Sequence, residues 1–153
     1  MKQRNFEFIK GSIGEHKVER FILNFGYRVI DTSQIVEYSQ RNKKYFCADR
    51  LVFGKSNCFW VQVKNKEPRI LYPDTGLEKW KFERLKQLQI ESGIPVLLLF
   101  VDSSNKIYGN WIDRLRITDD HGNVWNSKEN AEMIYFWLDD LLPLSKLLKE
   151  NFF

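Results

Sequence analysis

Histidine is scarce in this chain of 153 residues: His16 and His121 are the only two. Neither has a second ligand-type side chain at the spacing a helix or loop needs to close a zinc site, which argues against a zinc hydrolase. Cysteine is equally sparse, with Cys47 and Cys58 far from any Cys-x-x-Cys or Cys/His cluster. That pattern predicts buried reduced thiols rather than a disulfide framework or a metal knot. The eight glycines include no phosphate-cradling loop, so no nucleotide cofactor is expected. A Ser or Cys nucleophile paired with a His base lacks its nucleophile-elbow motif. No apolar run is long enough to span a bilayer, and the first residues are charged, so neither a membrane partner nor a leader is expected and the cytoplasm is the default.

What remains is a chain with 43% hydrophobic residues, enough for one sizeable core and a single domain over 1–153. Its net charge of +4 and pI near 9.0 are compatible with a polyanionic partner without demanding one. No internal repeat or low-complexity segment is present.

Reading forward, Ser12-x-x-Glu15 has the form of a capping box and predicts a helix to about Phe25, stopped by Gly26. Val18, Phe21, Ile22 and Phe25 share one arc of that helix, with Glu15 at its edge beside Ile22. A carboxylate there either caps its own helix or reaches over a sheet packed beneath. Tyr27-Arg28-Val29-Ile30 reads as a first strand. The polar segment from Asp31 to Lys44 reads as a connection, partly helical through Gln34 to Tyr38, whose basic run Arg41-Asn42-Lys43-Lys44 is either a solvated loop or a phosphate contact. Tyr45 to Phe53 and Cys58 to Val63 are rich in β-formers and flank the turn residues Gly54-Lys55-Ser56-Asn57, which predicts a hairpin. Past Pro68 and Pro73, Thr75-x-x-Glu78 repeats the capping signal and predicts a second helix to about Glu91, striped by Leu77, Trp80, Leu85 and Leu88. Lys81 and Arg84 fall inside that apolar arc, so they either snorkel to water or hold an anion at the sheet edge. Gly93-Ile94-Pro95 ends the helix, and Val96 to Val101 is a continuous apolar run, as expected of a strand buried on both faces. A strand, a helix and a buried strand form a crossover, so the Gln62 and Val96 strands should be parallel.

Beyond residue 101 the pattern weakens. Ile107 to Leu115 and Met133 to Leu138 read as strands joined by a polar segment with a turn at His121-Gly122-Asn123. Asp139-Asp140 is placed to cap a short final helix with Pro143 in its first turn and Leu144, Leu147 and Leu148 on one side. This pair and Asp119-Asp120 are read as structural. The aromatic residues concentrated here, Trp111, Trp125 and Trp137 among them, serve either as core or as stacking platforms for bases.

The hairpin holds the chemistry. If Phe53 faces Cys58, counting back places Asp49 opposite Gln62, and alternation puts Gln62 and Lys64 on the same side as Asp49. Opposed residues have Cβ atoms about 4.5–5.5 Å apart, so one divalent cation can touch both Asp49 and Gln62. A slip of one residue would destroy the arrangement. The bland alternative is an Asp49–Lys64 ion pair with a glutamine hydrogen bond.

Ala48-Asp49 followed by Gln62-Val63-Lys64 resembles the signature of the PD-(D/E)XK nuclease superfamily, an acid on one strand and Glu or Gln, any residue, then Lys on the next. Gly11-Ser12-Ile13-Gly14-Glu15 is similar to the upstream acidic helix of its Holliday-junction-resolvase-like members. Gln-x-Lys is similar to the variant of methyl-directed restriction endonucleases. The likeness covers about residues 11–101, with 102–153 as an extension. It departs from the family in having Ala in place of Pro and Gln in place of the second acid, which removes one negative charge.

That resemblance implies an α/β, restriction-endonuclease-like core, a mixed β-sheet flanked by helices in the order αβββαβ, with a C-terminal strand and helix extension. It implies a Mg²⁺-dependent endonuclease acting on branched or duplex DNA, with Mn²⁺ able to substitute. Asp49, Gln62, the Val63 carbonyl and Glu15 would be the metal ligands, Lys64 the group that orients water or neutralises phosphate charge, and Lys81 and Arg84 nucleic-acid contacts. A resolvase must make two cuts, which implies a symmetric homodimer. The reading from another class is a non-catalytic nucleic-acid-binding or partner-binding module that keeps the nuclease fold.

Overall fold

A computed structural model of the chain describes residues 2–32, 47–68, 74–118, 124–126 and 131–149, without the side chains of residues 2–10 and 124–126. The expected helix over Gln34–Tyr38, the basic run Arg41–Lys44, and the Asp119-Asp120 and His121 turn lie outside the described residues. In chain order the elements are α1 (Lys2–Asn24), β1 (Arg28–Asp31), β2 (Arg50–Phe53), β3 (Cys58–Asn65), β4 (Asp74–Glu78), α2 (Lys79–Ser92), β5 (Val96–Val101), β6 (Ile107–Trp111), β7 (Val124–Asn126), β8 (Ala131–Trp137), β9 (Leu142–Pro143) and α3 (Leu144–Lys149), with single 3-10 turns at Ile112–Arg114 and Leu138–Asp140.

Two sheets result. The larger has six strands in the order β1-β2-β3-β5-β6-β9, and the smaller has three in the order β4-β8-β7. β5 is the spine of the larger one, because all six of its residues are buried. Its alternate side chains feed two separate cores. Leu97, Leu99 and Val101 pack with Val18 and Ile22 of α1 and with Leu144, Leu147 and Leu148 of α3. Val96, Leu98 and Phe100 pack with Phe82, Leu85 and Leu88 of α2 and with Leu77, Ile134 and Phe136 of the small sheet. One face of the large sheet is therefore covered by helices and the other by a helix and a second sheet, which is why a run of six apolar residues is needed between them. No helix among the described residues is long and apolar enough to cross a membrane.

The hairpin has the expected register, Phe53 opposite Cys58 and Arg50 opposite Val61, and β3 runs parallel to β5 from Trp60–Val96 to Asn65–Val101. Other expectations are corrected. α1 starts about ten residues before Ser12, so Ser12 and Glu15 lie in mid-helix and cap nothing. Thr75 to Glu78 is a buried strand paired with β8, not a first helical turn; tertiary pairing with Phe136 and Ile134 overrides a capping pattern of only two residues. Leu77 accordingly belongs to β4, and the stripe of α2 is Phe82, Leu85 and Leu88, while Trp80 is 48% exposed. The strand expected over Ile107–Leu115 ends at Trp111 and gives way to a 3-10 turn. Pro143 precedes the last helix as part of β9, and Asp140 binds Arg116 rather than capping.

β6 packs against β5 with no space at Gly109, where an added Cβ would stand 1.9 Å from the Leu98 carbonyl oxygen. Backbone cannot yield as a flexible side chain can, so Gly109→Ala is expected to cost at least about 2 kcal/mol in denaturant unfolding, within the range for overpacked cores. An unchanged midpoint and slope would contradict this packing.

Candidate active site at the open edge of the third strand

β2 has four residues and β3 has eight, so the end of β3 has β5 on one edge and no β2 residue on the other. Asp49 stands where β2 gives out. It occupies a bend just before the strand, not the strand itself as the sequence suggested. Its N–H donates to the Val61 carbonyl at 3.0 Å, and its carboxylate Oδ2 accepts the Val63 N–H at 2.9 Å. On the other side its carbonyl accepts from the Thr32 N–H at 3.2 Å, the Thr32 hydroxyl at 2.9 Å and Arg50 Nη1 at 2.9 Å. A side-chain oxygen thus completes the ladder that β2 abandons, while the backbone of the same residue is held from the other flank. The N–H and C=O of one strand residue point the same way, so the Val63 carbonyl is turned to this edge as well.

α1 brings the second carboxyl. Its third turn from the C-terminal end lies close over β3: at Gly14 a Cβ would come within 3.1 Å of Asn65 Nδ2. The next residue, Glu15, sets its carboxyl in hydrogen-bonding range of that of Asp49. Burial, then the charge and hydrogen bond of Asp49, push Glu15 up to about 8, with Asp31 adding to the rise and Arg50 opposing it. Mid-helix placement removes the capping explanation for Glu15.

Arg50, which the sequence reading overlooked, is 5% exposed and sits beneath these acids. Its Nε bonds Glu19 Oε2 at 3.0 Å, and its Nη1 lies 3.4 Å from Asp31 and 4.0 Å from Glu15. One guanidinium thus reaches Glu15, Glu19 and Asp31 beside Asp49. The only advance signal was a lone Arg at a position where alternation points into the sheet-helix interface.

Gln62 and Lys64 share the opposite face of β3 with Trp60, towards α2 and the small sheet. Gln62 is 1% exposed; its Nε2 donates weakly to the Val63 carbonyl at 3.3 Å, and its Oε1 has no hydrogen-bond partner among the described residues. Lys64 does not form the cross-hairpin pair with Asp49. Its Nζ lies 2.9 Å from Oε1 of Glu78, the last residue of β4. Burial alone would raise the Glu78 carboxyl, but the Lys64 hydrogen bond and charge, with Lys81 behind, hold it below the usual carboxylate value. Lys81 is half-buried, whereas Arg84 is exposed and lies 4.9 Å over the Trp80 ring, so only the first sits in the arc as expected. Both act on Cys47, whose thiol burial drives up against their pull. Both free cysteines are half-buried.

The donor set fits a hard divalent cation. It consists of oxygens alone: Asp49 and Glu15 stand close enough that the Glu15 carboxyl is pushed up to about 8, and the Gln62 oxygen on the neighbouring strand is buried with no partner among the described residues. Among the described residues no three His, Cys, Asp or Glu side chains converge as a metal cluster, so the protein would contribute two carboxylates, an amide and a carbonyl, leaving the rest to water.

No protein-family model and no curated protein matches the sequence. Among solved structures the chain is similar to a Holliday junction resolvase of the archaeal hyperthermophile Archaeoglobus fulgidus, at a TM-score of 0.64 and 12% identity over 94% of this chain and 99% of that one. A nuclease from a fusselovirus aligns with a TM-score of 0.44 and 12% identity, over 89% of this chain and 80% of that one. The chain thus has the restriction-endonuclease-like fold of the resolvase.

Because the Glu15 carboxyl is raised in the folded state, it favours folding fully below its unfolded value, and that contribution is lost as pH climbs through about 8. Glu15→Gln is therefore expected to melt above wild type at pH 9 without metal, with the gap narrowing towards pH 5. Added Mg²⁺ should raise the wild-type melting temperature and leave the variant unmoved. Parallel melting curves at all pH values would show that the carboxyl is not strained.

Proposed function

We propose that this protein is a divalent-metal-dependent endonuclease that hydrolyses DNA phosphodiester bonds, with branched junctions as its substrate. The observation that supports this best is the Asp49 carboxylate bound to the Val63 N–H at the open edge of β3 with the Glu15 carboxyl beside it, flanked along the strand by the Gln62 oxygen, buried without a partner among the described residues. The resolvase of like fold lends the substrate class, since its whole length is spanned by this chain.

Glu15, Asp49, Gln62 and the Val63 carbonyl would hold Mg²⁺, or Mn²⁺ in its place. The ion, when bound, supplies polarisation of the scissile phosphate and a more acidic water. The chain's own residues do the rest. Asp49 is the anchor, because its backbone and carboxylate are pinned by Thr32, Arg50 and β3 together. Arg50 keeps Glu15 in reach while leaving it undercompensated, so a cation is the partner it lacks. Lys64 offers a compact ammonium to the phosphoryl oxygen on which charge develops. Lys81 and Arg84, on the first turns of α2, would contact flanking phosphates. Gln at position 62 leaves the site one charge short of the Glu form, which favours modest metal affinity that strengthens with DNA in place. Paired incision of a junction calls for a symmetric dimer.

Cleavage of a four-way junction with Mg²⁺ is the test. Asp49→Asn and Lys64→Ala should each lower kcat by roughly 100-fold or more while junction binding persists. Cleavage that survives both substitutions would refute the assignment, and wild-type binding without cleavage under Mg²⁺ or Mn²⁺ would identify a binding module instead.

A further inference from the structure

Glu78 has an arrangement that serves neither its strand nor its helix. It is the N-terminal capping residue of α2, yet its side chain makes no hydrogen bond to that helix. Ser, Thr, Asp or Asn there would satisfy an orphan N–H and add about 1 kcal/mol. Instead the carboxylate turns back over β3 and meets Lys64 Nζ at 2.9 Å, with the two side chains only 12% and 18% exposed. Its other oxygen, Oε2, is buried with no hydrogen-bond partner among the described residues. A buried ion pair with one acceptor unsatisfied is a poor stabiliser, since desolvation offsets much of the attraction. A methionine or leucine would fill the space between β4 and β3 at lower cost.

On the hairpin, the same-face neighbour of Lys64 two residues back is the neutral Gln62, and the Asp49 carboxylate holds the Val63 N–H and faces Glu15. A half-buried ammonium on a four-carbon stem has many rotamers, and a group of that kind is useful at a phosphate only if something fixes where it stands. We propose that Glu78 is a positioning residue for Lys64, supplying from the β4–α2 junction the counter-charge that Gln62 does not provide and aiming the ammonium at the phosphate. The inference rests on the nuclease reading above. Burial alone would raise Glu78, but the hydrogen bond and charge of Lys64 outweigh it, so the carboxylate stays ionised, as this role requires. Oε2 remains available to a water or to a substrate hydroxyl next to Lys64. The small sheet is thereby tied to the chemistry: β4 is held in register by β8, Glu78 opposite Met133, and ends at the residue that sets the lysine.

The experiment is steady-state cleavage of a four-way junction with Mg²⁺ by wild type, Glu78→Gln and Glu78→Asp, with melting temperatures and junction affinity measured on the same preparations. Glu78→Gln is expected to lose kcat on the order of 10- to 100-fold, as for partners that orient a site's ligands, with KM and affinity within about twofold of wild type. Glu78→Asp, which keeps the charge on a shorter arm, should recover part of that loss. If both variants cleave like wild type, or if Glu78→Gln raises KM and leaves kcat unchanged, the positioning role is overturned while the nuclease reading stands. Absence of cleavage by wild type overturns both.

Discussion

The unequal lengths of two paired strands govern this molecule. β3 continues four residues past the point where β2 stops, and a strand edge left open inside a protein must have its N–H groups satisfied by something else. The Asp49 carboxylate answers for Val63. Everything proposed about the site follows from that substitution of a side chain for a strand: it fixes a carboxylate at the sheet edge, turns the Val63 carbonyl towards it, and leaves a gap into which α1 lowers Glu15. Had β2 run on to pair with Val63, the edge would be an ordinary ladder with nowhere for a cation or phosphate to enter.

Around this gap the two cores divide the labour. The α1 side carries Glu15, Glu19 and Asp31 with Arg50, and the α2 side carries the amide, the ammonium and Glu78. Each side thus carries both signs of charge, with β3 as the partition and Asp49 at its rim. Close acids whose carboxyls press on one another, as Glu15 and Asp49 do, form a site with unfinished electrostatics. Such incompleteness costs stability and is typical of places that await a ligand.

The parts of this arrangement written in short-range pattern were legible from the sequence. Gly54 to Asn57 set the hairpin register, and the Val96–Val101 run announced the buried parallel strand. Ser12-x-x-Glu15 and Thr75-x-x-Glu78 both have the letters of a capping box, yet one lies inside a helix that begins ten residues earlier and the other in a strand paired with the distant β8. Trp80 was assigned to the core on helical spacing counted from Leu77, and moving the helix start to Lys79 turned it outward. Arg50 and Glu78 could not be read in advance: each is an unremarkable charge until α1 and β4 fold over the hairpin.

Gly14 marks where the first helix comes down on the third strand. A Cβ there would stand 3.1 Å from Asn65 Nδ2, a side-chain amide that can give by a few tenths of an ångström where backbone could not. The seat beside Glu15 is therefore cushioned: a small side chain at this point would displace the amide before it disturbed the helix, and the reach of the acid would be kept.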